Sequence, residues 1–259
     1  MEVSYEVLAA LLVAALAAGF VDAVVGGGGL IQLPAILLGL PGATPVQILA
    51  TNKLSSFCGT TVAAATYARR VRPDPRTFAP LMLAAFVGSA LGALLASMIP
   101  KSAFDPIVLV ALVVVGAYVV ARPTLGAATS LRFAGHHHTL AALVTGLVVG
   151  VYDGALGPGT GSFFVLALVS VLGYNFLEAS AKARLANWAT NLAALIVFAS
   201  QDALLWGVGL AMGLTNMVGG YLGARIAIGR GAAFVRVFFI VVVSGFVVRI
   251  GGGLLGWWG

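Results

Sequence analysis

The chain has 259 residues, of which 61% are hydrophobic and only 8% charged, with a formal net charge of +6. A soluble domain carries about 25% charged residues, so this sequence cannot cover itself in water and reads as an all-α polytopic membrane protein. Its single cysteine, Cys58, excludes an internal disulfide and a thiolate metal cluster, and its place among small residues predicts a buried, inert thiol.

The first apolar run follows Glu2 and Glu6 with no lysine or arginine ahead of it. The basic n-region of a signal peptide is missing, which predicts a retained first helix at 4–25. Asp22 lies near its end, just before the four glycines Gly26–Gly29. Each glycine in a helix interior costs about 1 kcal/mol relative to alanine, so the helix breaks there. Further segments are expected at 29–41, 44–69, 76–99 and 103–121, divided by Pro41, Pro45, the turn Arg72–Pro73–Asp74–Pro75, and Pro100. Residues 122–136, with Arg122, Pro123, Gly126, Ser130 and Arg132, read as a linker. The second set is expected at 137–156, 160–174, 177–200, 203–228 and 232–256, with Trp257 and Trp258 as an interfacial anchor and Arg249 snorkelling.

The two sets are copies of each other. At an offset of 131 residues Gly19, Asp22, Gly26 and Gly28 fall on Gly150, Asp153, Gly157 and Gly159. GSALGA at 88–93 falls on GGYLGA at 219–224 in the same register. Residues 1–121 and 137–259 are thus expected to be two transmembrane repeats of one membrane domain, with 122–136 a cytoplasmic linker. An odd number of segments per repeat inverts the second. Arg69, Arg70, Arg72 and Arg76, then Arg122 and Arg132, then Arg225, Arg230 and Arg236 fall in turns that share one side. The positive-inside rule makes that side cytoplasmic and puts both termini outside. Folding segments one and two, and six and seven, into re-entrant hairpins keeps the same parity, so that arrangement stays open beside ten full crossings. Inverted repeats of this kind build secondary transporters, whose sites lie where broken helices meet.

Candidate site residues follow from depth. Asn52 and Lys53 lie about eight residues into their segment, roughly 12 Å down at 1.5 Å per residue. The repeat partner of Lys53 is Arg184, with Lys182 half a turn before it. Charges at depth cost at least about 2.5–3.5 kcal/mol each, so they face a partner or a pathway. The breaks at Gly28 and Gly159 leave helix-start N–H groups, a partial positive charge suited to an anion. With Thr51, Gln32, Thr160, Asn187 and Asn191 on the same faces, the residues describe a small positive pocket for an oxyanion. Asp22 and Asp153 are candidates for proton coupling or for ion pairs, Asp22 with Lys53 and Asp153 with Arg184. Close helix crossing through small residues is the other explanation of the breaks, and their recurrence in symmetric places favours the ligand-facing one. Gly88/Gly92 and Gly219/Gly223 read as packing motifs. His136–His138 read as a solvated interface rather than a metal site. Neither a phosphate loop nor a dinucleotide fingerprint, a catalytic triad or an ATP motif is present, so no enzyme, cofactor or nucleic-acid partner is expected.

The stretch GFVDAVVGGGGLIQLPAILLGLPGATPVQILATNKLSSFCGT at 19–60 resembles the first-half signature of the sulfite exporter TauE/SafE family, also called TSUP. GVYDGALGPGTGSFFVLALVSVLGYNFLEASAKARLANWATN at 150–191 resembles its second-half signature. One departure lies at Ala181–Ala183, where a Thr- or Ser-Lys pair is common and the cations here are Lys182 and Arg184. The resemblance implies proton-coupled efflux of sulfite, sulfoacetate or related organosulfonates across a bacterial or archaeal cytoplasmic membrane. An uncoupled anion channel, or an accessory subunit with purely structural charges, fits the same residues.

Overall fold

A computed structural model describes residues 4–96, 109–110, 113–114, 117, 119–121 and 124–255. The segment expected at 103–121 falls mostly outside them, as do Glu2, Pro100, Arg122, Pro123, Trp257 and Trp258. The described elements are helices: α1 (Tyr5–Val25), α2 (Gly29–Gly39), α3 (Pro45–Val71), α4 (Pro75–Leu95), α5 (Gly135–Ala155), α6 (Thr160–Ala167), α7 (Phe176–Ala199) and α8 (Trp206–Leu254). A π-helical stretch, Leu168–Leu172, extends α6, and Gly173 at φ 89° ends it. In α8 the backbone leaves helical geometry at Gly231 (φ 75°, ψ −172°), so two expected segments meet across one residue.

Local chemistry sets the boundaries. Thr44 and Gln47 form a reciprocal capping box with Pro45 at the first helical position of α3. Asp74 caps α4 ahead of Pro75, and Asn175 accepts from the Glu178 N–H at the start of α7. α1 ends where Gly26 turns to φ 81°.

The polarity of the molecule is reversed. α3 buries Thr51, Asn52, Lys53, Ser55 and Thr60, while α7 buries Ser180, Lys182, Arg184, Asn187, Thr190 and Asn191. Leucines and valines lie outside instead, among them Leu83, Leu91 and Leu94 on α4 and Leu210, Leu214 and Val218 on α8. Water rewards the opposite arrangement, and lipid rewards this one. Among the described residues α1, α4, α5 and α8 are long and apolar enough to cross a membrane. This is an all-α, multi-pass membrane protein. Cys58 is half-buried rather than buried, its sulfur against Gly213 of α8.

Small residues hold the helices in pairs. A Cβ at Gly88 would lie 2.5 Å from the Leu147 carbonyl oxygen, and one at Gly92 would collide with that of Val151. In the other half Gly219 and Gly223 stand in the same way against the Leu16 and Phe20 carbonyls, each contact 131 residues from its counterpart. The residue order of these contacts makes α4 run with α5, and α1 with α8. Gly92→Val is expected to cost about 1–3 kcal/mol through overpacking, read as a lower melting temperature in detergent.

Candidate functional site

α1 and α2 form a hairpin, since Gly39 of α2 packs against Val7 and Leu11 at the start of α1. α5 and α6 form its counterpart, with the Tyr152 and Phe163 rings 4.8 Å apart. The two tips touch. A Cβ on Gly161 would lie 2.5 Å from Gly26 Cα, and Ser162 Oγ donates to the Gly26 carbonyl at 2.7 Å and the Val25 carbonyl at 3.2 Å. Tyr152 Oη steadies the second tip by donating to the Pro158 carbonyl at 2.6 Å. Only glycine lets two backbones approach so closely.

Because the tips overlap, each aspartate reaches the other half of the chain. Lys53 Nζ lies 2.6 Å from Asp153 Oδ2, and Arg184 Nη1 lies 3.4 Å from Asp22 Oδ2. The expected pairs, Asp22 with Lys53 and Asp153 with Arg184, are therefore crossed. That expectation paired each aspartate with the cation of its own half, whereas the contact between the tips brings each one to the cation of the other half.

The two pairs are not equivalent. Both side chains of the Lys53–Asp153 pair are 2% exposed, and Ser89 Oγ adds a hydrogen bond to Asp153 Oδ2 at 3.3 Å. Asp22 is 16% exposed, and its carboxylate accepts at 3.3 Å from both the Gly27 N–H and Asn187 Nδ2. Arg184 is fully buried; it also donates to the Asp22 and Gly161 carbonyls, and its Nε is without a partner among the described residues.

Between the pairs lies a narrow cavity of about 20 Å³, room for about one water-sized group, so an anion must part the pairs to enter. Its walls include Asp22, Asn52, Lys53, Asp153, Gly159, Thr160, Asn187 and Asn191, all singled out from the sequence. Arg184 stands behind the wall, against Asp22 and Gly161. Gly28 turns back onto Ala18 and Asp22, and Gln32 is buried in bonds to the Asn52 carbonyl, Ser55 and Asn216. Thr51 is buried, and neither its hydroxyl nor the side-chain oxygen of Asn52 has a hydrogen-bond partner among the described residues. Lys182 belongs elsewhere, 3.8 Å from the centroid of the Tyr174 ring. Of the helix-start donors, the N–H groups of Leu30, Ile31, Gln32, Thr160, Ser162 and Phe163 are taken by turn carbonyls, while Gly29 and Gly161 face the cavity. Ser56 also faces it and was missed, although the repeat register pairs it with Asn187. Ser89 was missed because it sits inside the packing motif. His138, expected in a solvated tract, is partly buried with its Nδ1 enclosed.

The model of the family described as "Sulfite exporter TauE/SafE" matches residues 11–250. The chain belongs to this family. A TauE/SafE chain of this kind is a membrane transporter and not an enzyme. Its curated relatives include a probable membrane transporter protein, ORF9, of Sinorhizobium sp, 36% identical over 253 residues and covering 96% of this chain and 94% of the relative. A probable membrane transporter protein of Haemophilus influenzae is 34% identical over 246 residues, covering 93% of each chain. The probable membrane transporter protein YfcA of Escherichia coli is 34% identical over 241 residues, covering 93% of this chain and 88% of its own. No solved structure matches the chain.

Proposed function

We propose that this TauE/SafE transporter exports small sulfur-containing anions, such as sulfite, sulfoacetate or related organosulfonates, by proton-coupled alternating access. The observation that carries the reading is the cavity walled by two crossed ion pairs at the meeting point of two helix breaks. Taking two charges from water at such depth costs several kcal/mol per ion, which their pairing does little more than offset. A transporter recovers a use for that cost, because an anion entering the cavity competes with the aspartates for their cations. Lys53 contacts the anion directly, with Asn52, Asn187, Asn191 and the Gly29 and Gly161 N–H groups completing the shell. Arg184 acts from behind the wall, and Asp22, the more exposed carboxylate, carries the proton.

The reading treats 1–121 and 137–259 as inverted repeats around the linker 122–136, with both hairpins re-entrant. It is supported by the contact between the two tips: full crossings would hold the tips at opposite faces of the membrane. It is supported too by α5 running with α4, which doubles back from α3. The arginine-rich turns then face the cytoplasm and the termini face outward. Sulfite or sulfoacetate flux into proteoliposomes is the test. An imposed pH gradient is expected to drive uphill accumulation; flux that only dissipates a gradient would mean a channel, and no flux or binding with any sulfur anion would refute the substrate class.

A further inference from the structure

A second polar cluster lies at the arginine-rich end, apart from the cavity. Thr77 Oγ1, one residue after Arg76, is 2.8 Å from Tyr174 Oη and 3.0 Å from His138 Nε2. His138 Nε2 and Tyr174 Oη are themselves 3.1 Å apart, so the three polar atoms close a ring. Thr77 and Tyr174 are buried, and the His138 imidazole meets the Tyr174 ring edge-on at 5.8 Å. The Lys182 ammonium covers Tyr174, 3.8 Å from its ring centroid. These contacts join the first turn of α4, the first turn of α5, and the turn between α6 and α7.

The repeat register shows what occupies the same joint at the other end. Thr77, His138, Tyr174 and Lys182 correspond to Val208, Val7, Ala43 and Thr51, each 131 residues away. Val7, Ala43 and Val208 belong to one apolar cluster with Leu11, Ile36, Leu40 and Met212. One joint is thus built twice, once from directional hydrogen bonds and once from side-chain packing.

We propose that the Thr77–His138–Tyr174 ring is the latch that keeps the arginine-rich end of the transporter closed, while the opposite end closes by apolar contact. This rests on the alternating-access reading above. Hydrogen bonds weaken steeply once distance and angle are lost, whereas apolar attraction follows area and has no direction. The arginine-rich end therefore opens in one step, when the ring breaks, and the opposite end yields gradually. Lys182 strengthens the latch by holding the Tyr174 ring in place.

Cavity access reads this out. In a Cys58→Ser background, Ser56→Cys places a reporter thiol in the cavity wall. An impermeant cationic thiol reagent is then applied to sealed vesicles of either orientation. Tyr174→Phe keeps the ring and its Lys182 contact, and Thr77→Val keeps the shape. Each removes one hydroxyl, worth about 1 kcal/mol and hence about a fivefold shift in population. Labelling from the arginine-rich face is expected to rise about fivefold in each variant, and labelling from the opposite face to fall. Unchanged rates in both variants, or an equal rise from both faces, would overturn the latch. Reporter labelling that neither sulfite nor sulfoacetate slows before either substitution is made would overturn the transport reading on which the latch depends.

Discussion

Lys53→Met is expected to abolish anion flux in proteoliposomes and to lower stability by about 3–5 kcal/mol. The substitution leaves the Asp153 carboxylate buried beside the Ser89 hydroxyl with its cation gone. Such a group is costly because neither water nor an opposite charge compensates it. The double variant Lys53→Met/Asp153→Asn removes both charges and should recover most of the lost stability, since a buried pair contributes little net folding energy. Flux should stay absent in the double variant, because the anion still lacks its cation. Melting in detergent and sulfite flux, measured on the same preparations, separate the two roles. A double variant that transports would remove Lys53 from the site.

Gly161→Ala has the next largest expected effect. Its new methyl would lie 2.5 Å from Gly26 Cα and 2.9 Å from Arg184 Nη2. Neither neighbour can give way easily. Gly26 is held by the Ser162 hydrogen bond and by its own N–H bond to the Asp22 carbonyl, and Arg184 is fixed by Asp22 and Gly161. The hairpin tips must separate, at about 1–3 kcal/mol of overpacking, and the cavity changes shape with them. Flux is expected to fall far more than stability. Gly245→Ala in α8, where the added methyl meets none of the described residues within 4 Å, serves as the control and should leave both unchanged. Equal flux in the two variants would mean that transport tolerates parted tips.

Much of this molecule is legible in its residues. Two glycine breaks in one register mark the hairpins, and charges several turns inside apolar segments mark the cavity. The repeat register finds equivalent positions, so it brings Lys53 and Arg184 forward together. It cannot say which of two equivalent aspartates meets which cation, because that depends on how far one tip slides past the other. The ring at the arginine-rich end was hidden for a different reason. Three consecutive histidines look like a solvated tract, and only packing separates His138, which turns inward to Thr77, from exposed His136 and His137. Tyr174, in a short turn, carries no pattern at all.

The crossed pairing also constrains how the protein is made. Asp22 and Arg184 are 162 residues apart, so the chain must lengthen by that much before the aspartate meets its cation. At about 5–20 residues per second, that interval lasts roughly 10–30 seconds. Throughout it the first hairpin carries a carboxylate whose final partner does not yet exist. It must wait at the membrane surface, or borrow Lys53 from its own half, until α7 is synthesised. The α1–α2 hairpin, made well before α7, then settles only after α7 has joined it, and a chain truncated before α7 is expected to leave that hairpin open to protease.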